Sequence, residues 1–220
     1  MTDILVRAEG LTKCFGLVTA IAEASFEVAE ADQIALVGPS GSGKSSLLHL
    51  IAAIDQPTEG TISWPALGEP ETLRPGIVSI TFQGPSLLPP LTVAENIALP
   101  VLLAGGGQET ARKTAATLID RLGLADVAEK LPEEISGGQS QRAGLARALA
   151  GEPRLILADE PTGQLDQSTA AEMMTVLMRH VESTKAALIV ATHDLSVADR
   201  LPLRWQMADR RLVTGVDLPC

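Results

Sequence analysis

A glycine-rich stretch in the first quarter of the chain has the residue types of a phosphate-binding loop. It fits the pattern G-x-x-x-x-G-K-[ST] and consists of Gly38, Pro39, Ser40, Gly41, Ser42, Gly43, Lys44, Ser45 and Ser46. Glycines let successive backbone N–H groups turn toward an anion, and a following helix adds its unpaired N–H groups and the positive end of its dipole. Lys44 can reach the β- and γ-phosphates of a nucleotide, and the Ser45 hydroxyl can ligate Mg²⁺.

The residues on either side of this loop decide between that interpretation and a Gly/Ser-rich turn with a stray lysine. Residues 34–37 form an apolar run that predicts a buried strand, and residues 47–51 predict a helix. Strand, loop and helix in that order are the context that the motif requires. The stretch therefore predicts binding of a nucleoside triphosphate.

Two consecutive carboxylates follow another apolar run. Residues 155–158 predict a short buried strand, and Asp159 and Glu160 stand at its end. The alternative is an ordinary strand capped by solvated acids. Beside a phosphate loop, however, a strand end is where a Walker B aspartate belongs, so we expect Asp159 to hold Mg²⁺ and Glu160 to polarise the attacking water.

A third constellation opens a predicted helix with Ser136, Gly137, Gly138 and Gln139. Ser136 and Gln139 fit a capping box, which is a complete structural explanation for those two residues. The two glycines are not explained by capping, because each of them costs helix stability. Glycines at these positions would let a ligand approach the backbone closely. The N-terminus of a helix also favours the binding of an anion. The chain thus offers two half-sites for one triphosphate.

The predicted elements that must position these residues alternate between strands and helices. We expect strands at 4–8, 24–28, 34–37, 61–64, 77–82, 154–158 and 187–191, a terminal hairpin of 203–207 with 211–214, and helices at 92–103, 109–122, 139–150 and 168–182. This alternation implies an α/β fold with a largely parallel sheet. The mostly helical stretch from about 92 to 151 interrupts it and predicts an inserted helical subdomain. In the helix at 168–182, one face is expected to pack in the core through Ala171, Met174, Leu177, Met178 and Val181.

Composition limits the class of protein and its partners. The chain has 220 residues, 45% of them hydrophobic, and a formal net charge of −10. That charge argues against nucleic acid as the main partner, because duplex binding needs clustered Lys and Arg. Cys14 and Cys220 are expected to be free thiols in a reducing compartment. No signal peptide and no apolar stretch of roughly 20 residues is visible, so we expect a soluble chain whose membrane role comes through a partner.

The order of these motifs resembles that of the nucleotide-binding subunits of ABC transporters. Residues 38–45 resemble Walker A, 135–139 the LSGGQ signature, and 155–160 Walker B with the catalytic glutamate. Four further residues elsewhere in the chain match the family pattern: Phe15 as the adenine-stacking aromatic, Gln83 as the Q-loop glutamine, Asp166 in the D-loop and His193 as the switch histidine. The finer pattern of residues 87–96 and 158–163 resembles the lipoprotein-release and macrolide-efflux branch.

The resemblance implies a fold and an activity. The fold is a P-loop NTPase (RecA-like) core with a mainly parallel sheet, a small antiparallel β-subdomain and an inserted helical subdomain. All 220 residues form one ABC ATPase domain, with the core at about 1–91 and 152–220 and the helical subdomain at about 92–151. The activity is ATP hydrolysis coupled to transport, with ATP and Mg²⁺ as cofactors.

The resemblance also implies residue roles, partners and location. Glu160, His193 and Gln83 are the catalytic residues, and Ser45, Gln83 and Asp159 hold the metal. Nucleotide is bound by Phe15, residues 38–46, residues 136–139 and Asp166. The partners are a second ATP-binding subunit, packed head to tail, and transmembrane permease subunits, with no nucleic acid. The location is cytoplasmic, peripheral on the inner membrane, and residues 84–103 are expected to contact the permease.

Several alternatives stay open on sequence grounds. Ile135 replaces the signature leucine, Ser46 stands where threonine is common, and Gln164 where asparagine is common. The same motifs fit an ATPase that energises an importer or a regulatory ABC ATPase. A DNA-maintenance ABC ATPase would need a long coiled coil between the Walker motifs, and a translation factor usually carries two such domains. A P-loop kinase or GTPase has no role for residues 136–139.

Overall fold

Two β-sheets and the helices packed on them make up the computed structural model, which describes residues 3–82, 84, 86–163 and 165–215. The strands are β1 (Ile4–Phe15), β2 (Val18–Ala29), β3 (Gln33–Val37), β4 (Glu59–Ser63), β5 (Val78–Thr81), β6 (Leu155–Asp159), β7 (Ala187–Thr192), β8 (Leu203–Ala208) and β9 (Arg211–Thr214). The helices are α1 (Lys44–Ile51), α2 (Val93–Leu103), α3 (Gln108–Arg121), α4 (Gly137–Ala150), α5 (Gln167–Thr184) and α6 (Leu195–Ala198).

The larger sheet has the strand order β5-β6-β7-β3-β8-β9. Its first five strands are parallel, and β9 returns antiparallel to β8 as the predicted terminal hairpin. The smaller sheet, β2-β1-β4, is antiparallel. The predicted α/β architecture is confirmed, although β1 and β2 are much longer than the sequence pattern indicated.

Both faces of the larger sheet are covered, as expected of parallel strands. Alternate residues of the inner strands β3, β6 and β7 belong to two core clusters. Ile156 and Ala158 of β6 pack with helices α2 to α5, whereas Leu155 and Leu157 pack with α1 and the smaller sheet. The sheet is therefore the central layer, and its C-terminal edge is the natural place for a ligand site.

Two predictions about helices need correction. Helix α4 begins at Gly137 and not at Gln139, because Ser136 caps it and both glycines lie in its first turn. In α5 the buried stripe runs through Met173, Met174, Leu177 and Val181. Ala171 is exposed, and the prediction that it packs in the core is wrong because it lies on the outer side of the first turn.

Helices α2, α3 and α4 occupy the predicted helical stretch. Helix α2 begins with a capping box between Thr92 and Glu95 and continues through Pro100. Their buried side chains share one cluster with Ile156 of the sheet and with α5. The boundaries near 92 and 151 stay a prediction. Within the described residues, no helix is long and apolar enough to cross a membrane.

Candidate active site

The phosphate-binding loop connects β3 to α1 and is packed tightly against neighbouring strands. Gly43 caps α1 with φ of 105°, in the left-handed region, and a Cβ there would lie 2.4 Å from the Ala20 carbonyl oxygen. A Cβ on Gly38 would lie 2.6 Å from the Met207 carbonyl oxygen. Only glycine fits these two positions, so β2 and β8 together fix the shape of the loop.

Lys44 is folded back over the loop. Its Nζ donates hydrogen bonds to the carbonyl oxygens of Gly38 at 2.7 Å and Pro39 at 3.2 Å. The same Nζ lies 4.0 Å from Glu160 Oε1, and both side chains are almost fully buried. The Lys44 ammonium group can exchange these two carbonyl oxygens for phosphate oxygens, because a charged phosphate is a stronger hydrogen-bond acceptor than a neutral carbonyl.

Asp159 ends β6, the second strand of the larger sheet, and is almost entirely buried. Burial raises the pKa of this carboxyl, while its hydrogen bond with Ser45 acts in the opposite direction. Its Oδ1 is buried with no hydrogen-bond partner among the described residues. A buried carboxylate oxygen without a partner, beside a hydroxyl, fits a divalent cation.

The donor set itself limits what that cation can be. The described residues contain no group of three or more His, Cys, Asp or Glu side chains that could form a protein-only metal site. One carboxylate and one hydroxyl suit Mg²⁺, which prefers a few protein oxygens and completes its shell with phosphate and water. The residues present therefore fit Mg²⁺ bound together with nucleotide.

Glu160 and His193 meet across neighbouring strands. The register of β6 and β7 pairs Asp159 with Ala191, and the Glu160 N–H donates to the Ala191 carbonyl oxygen at 2.9 Å. This alignment puts Glu160 Oε1 at 2.9 Å from His193 Nδ1, and the Thr192 hydroxyl donates to Glu160 Oε2 at 3.4 Å. The His193 side chain is 70% exposed, so the ring borders solvent on its outer side.

These groups line a single cleft with a volume of about 480 Å³. Among the predicted site residues, the lining contains Phe15, Ser40, Gly41, Gly43, Lys44, Ser45, Ser46, Asp159, Glu160 and His193. Phe15 is 53% exposed, and Lys13 Nζ lies 4.9 Å from the centroid of its ring. The cleft thus brings together an aromatic ring, a phosphate loop and a pair of acids, which are groups that suit the base, the phosphates and the hydrolysis of ATP.

The family assignment follows from residues 21–163, which match the model of the ABC transporter family. The chain belongs to the ABC transporter family. Its chemical class is therefore ATP hydrolysis by an ABC ATPase.

Relatives and solved structures agree with this family. The chain is 40% identical to the lipoprotein-releasing system ATP-binding protein LolD of Gluconobacter oxydans over 94% of this chain and 95% of that protein. It is 37% identical to the protein of the same name from Hydrogenovibrio crunogenus, over 97% of both chains. The ATP-binding cassette MJ0796, solved as a dimer bound to ADP and Pi, superposes with a TM-score of 0.88 and 31% identity over 97% of this chain and 100% of that one.

The loop residues Gly38, Pro39 and Ser42 do not line the cleft of this ABC ATPase, and neither do the four residues of the second half-site. Ser136, Gly137, Gly138 and Gln139 form the start of α4, where the Ser136 hydroxyl accepts from the Gln139 N–H at 3.2 Å and Gln139 Oε1 accepts from the Ser136 N–H at 2.8 Å. Ser136 and Gly137 are exposed. The capping box is therefore present, and the helix N-terminus is open to solvent and not to the chain's own cleft.

Asp166 also lies outside the cleft lining, and one further predicted site residue lies outside the described residues. Asp166 caps α5 and bonds the backbone and hydroxyl groups of Ser168 and Thr169, which lowers the pKa of its carboxyl well below the ordinary value. Its role toward nucleotide stays a prediction. Gln83 and Gln164 lie outside the described residues, as does Cys220.

Three residues near the chemistry were not singled out by sequence reasoning. Thr192 reaches Glu160 through the strand register, and Gln141 Nε2 donates to the Glu160 carbonyl oxygen at 3.0 Å. Arg210 lines the cleft from the β8–β9 turn. Thr192 and Gln141 adjoin motifs that were recognised, so their proximity was a usable signal. The sequence held no comparable signal for Arg210, because no recognised motif includes this residue.

Proposed function

We propose that this chain is the ATP-hydrolysing subunit of a membrane transporter of the lipoprotein-release type. The release of lipoprotein is supported by the names of relatives with 35–40% identity over most of the chain. The hydrolytic role rests mainly on one geometric observation: a buried carboxylate, Glu160, contacts both Lys44 and His193 inside the cleft.

The residue roles follow from that geometry. Lys44 binds the β- and γ-phosphates once its bonds to the loop carbonyls are exchanged for phosphate oxygens. A Glu160 carboxylate oxygen accepts the proton of the attacking water. The water oxygen then bonds to the γ-phosphorus, the bond from that phosphorus to the β–γ bridging oxygen breaks, and ADP leaves with that electron pair. His193 lies 2.9 Å from Glu160 Oε1 through its Nδ1 and would contact the γ-phosphate when nucleotide is bound.

Ser45 and Asp159 would hold Mg²⁺, with Gln83 as the third predicted ligand. When bound, the ion neutralises charge on the β- and γ-phosphates and thereby stabilises the transition state. The buried, unpartnered Oδ1 of Asp159 supports this assignment.

The second half-site is proposed to act in a head-to-tail dimer. Ser136 and Gly138 of one subunit would face the ATP that Lys44 of the other subunit holds. Support comes from the exposed N-terminus of α4, which does not line its own cleft, and from the dimeric structure of the similar cassette MJ0796. Asp166, at the start of α5, would lie near the same interface.

The permease is proposed to dock on residues 84–103 at the cytoplasmic face of the membrane. Three large apolar side chains of this stretch are exposed, Leu88 at 43%, Leu102 at 41% and Leu103 at 63%. Helices α2 and α3 also border a groove of about 890 Å³ whose lining includes Ala98, Leu102 and Ala115. An exposed apolar patch beside a groove is typical of a protein-binding surface.

The decisive experiment uses the chain co-expressed with the membrane subunits that co-purify with it. ATP hydrolysis and the release of a lipid-anchored protein from proteoliposomes are measured for the parent complex and for Lys44→Ala. We expect Lys44→Ala to lose most ATP turnover and all ATP-dependent release. Unchanged turnover would refute the phosphate-loop assignment, whereas ATP-dependent uptake of a solute in place of release would indicate an importer.

A further inference from the structure

We propose that Arg210 is a second cation for the triphosphate and contacts its α- and β-phosphate oxygens. The inference rests on the proposed function, because it concerns the same bound ATP. Arg210 lines the same cleft as Lys44, Ser45 and the two carboxylates. It comes from the β8–β9 turn, which lies outside the recognised motifs.

The turn that carries Arg210 is held in a conformation that arginine disfavours. Asp209 and Arg210 form a two-residue connection with φ of 49° and 67°, both in the left-handed region. Such hairpin turns favour Asn-Gly or Asp-Gly, because glycine has no Cβ to clash. The turn is nevertheless fixed to β2, since the Ala22 N–H donates to the Arg210 carbonyl oxygen at 2.8 Å. Because this turn position suits glycine better than arginine, we expect the arginine side chain to have a function.

The charges around the turn single out this guanidinium. The neighbouring Arg211 pairs with Glu23 at 3.3 Å. Arg210 has no side-chain hydrogen bond or ion pair within the part of the chain that the structure describes. The cleft lining contains two carboxylates, Asp159 and Glu160, and two cations, Lys44 and Arg210. Without Arg210, the side chains that line the cleft would carry a net negative charge, apart from any bound Mg²⁺, and Lys44, the remaining cation, lies close to Glu160.

The position of the turn points to the α- and β-phosphates. Met207, three residues before Arg210, packs against both glycines of the loop: a Cβ on Gly38 would lie 3.1 Å from Met207 Cβ, and one on Gly43 3.1 Å from Met207 Cε. Gly43 is the N-cap of α1, where the loop backbone of this motif cradles the α- and β-phosphates. Lys44 Nζ, by contrast, lies 4.0 Å from Glu160 Oε1, the carboxylate that faces the γ-phosphate in the proposed function.

The turn geometry provides a test in which stability and binding change in opposite directions. Arg210→Gly and Arg210→Asn remove the charge and suit positive φ, so the thermal unfolding temperature should be equal or higher. ATP affinity, measured by titration calorimetry of the full chain in 50 mM salt, should nevertheless fall by about 3- to 10-fold, which corresponds to about 0.7–1.4 kcal/mol. Arg210→Lys should retain most of the affinity. The matched control is Arg211→Ala, whose partner is Glu23, and it should bind ATP like the parent.

Competition experiments identify which part of the nucleotide is bound. After correction for the weaker binding of ATP, the inhibition constant of tripolyphosphate should rise in Arg210→Gly and that of adenosine should be unchanged. Raising the salt to 0.5 M should reduce the difference from the parent. Parent-like ATP affinity in both the Gly and Asn variants would overturn the proposal. Equal losses for adenosine and tripolyphosphate would overturn it as well, since the contact would then be with the nucleoside. If the parent itself bound no ATP, the proposed function would fail instead.

Discussion

Replacing Glu160 with glutamine keeps the size of the side chain and removes its charge and its basicity. The carboxylate Oε1 lies 2.9 Å from His193 Nδ1 and 4.0 Å from Lys44 Nζ. Glutamine can still bond to His193, but it no longer attracts Lys44. We therefore expect ATP to bind at least as tightly as in the parent, and hydrolysis to slow severely.

The two effects differ in size. At 4.0 Å, the attraction between Lys44 and Glu160 is about 4 kcal/mol for an effective dielectric constant of about 20. That is an upper bound on the gain in ATP binding, because Lys44 keeps its two bonds to loop carbonyls until phosphate replaces them. Loss of a general base costs about 10²–10⁴ in rate, or about 2.7–5.5 kcal/mol of transition-state stabilisation.

The assay combines turnover with the oligomeric state. We expect Glu160→Gln to accumulate as an ATP-bound head-to-tail dimer, seen by size-exclusion chromatography at high protein concentration with MgATP. Adding Ser136→Arg should prevent this dimer by crowding the opposite half-site. Glu172→Gln, on the exposed side of α5, removes the same charge far from the cleft and should behave like the parent.

The outcome that would refute this reasoning is hydrolysis by Glu160→Gln at the parent rate. Glu160 would then be only a structural partner of His193 and Lys44. A slow variant that binds ATP more weakly than the parent would instead contradict the inferred competition for Lys44.

Three further predictions follow from buried or exposed groups away from the reacting atoms. Asn96 is fully buried and bonds the N–H and carbonyl of Leu88, so Asn96→Ala should cost on the order of 2 kcal/mol in urea unfolding; parent-like stability would contradict it. Burial lowers the pKa of His180, which faces Glu152 and Arg121, below its ordinary value of 6.5. Below pH 6.5 the unfolded chain therefore binds a proton at this residue that the folded chain does not bind, so the stability of the folded chain should fall as the pH drops. His180→Gln should remove this pH dependence in thermal melts at pH 5 to 8. Cysteines placed at exposed positions of 84–103 should crosslink to the permease in an assembled complex, and cysteines on the outer face of α5 should not.

Much of the fold follows from the sequence because its strands are short, apolar runs between clear turns. Strand β6 and the terminal hairpin were predicted nearly to the residue. The lengths of β1 and β2 were underestimated, because many of their residues are polar. These residues adopt strand conformation through the pairing of β1 with β2 and with β4. The exposed Ala171 was misplaced because a short apolar residue near a helix start fits the core face and the outer face equally well.

The site was predictable where its residues are contiguous in the chain. The loop residues 38–46 and the acids at 159–160 are recognisable from residue types and spacing within one short stretch each. The contact between Glu160 and His193 spans 33 residues and depends on β6 lying beside β7, which no local pattern specifies. Arg210 reaches the cleft only because β8 pairs with β3, so its involvement could not be foreseen from the sequence around it.

The two acids themselves show why a strand pattern alone does not define the site. Consecutive residues of a strand point to opposite faces, so a regular strand would separate the side chains of Asp159 and Glu160. Glu160 instead has φ of 47°, in the left-handed region, which costs a non-glycine residue on the order of 1 kcal/mol or more. The cost is offset by backbone bonds on both sides: the Glu160 N–H donates to Ala191, and its carbonyl oxygen accepts from Gln141 and Gly163. Because the chain turns at that residue, both carboxylates line one cleft, one beside Ser45 and the other beside Lys44.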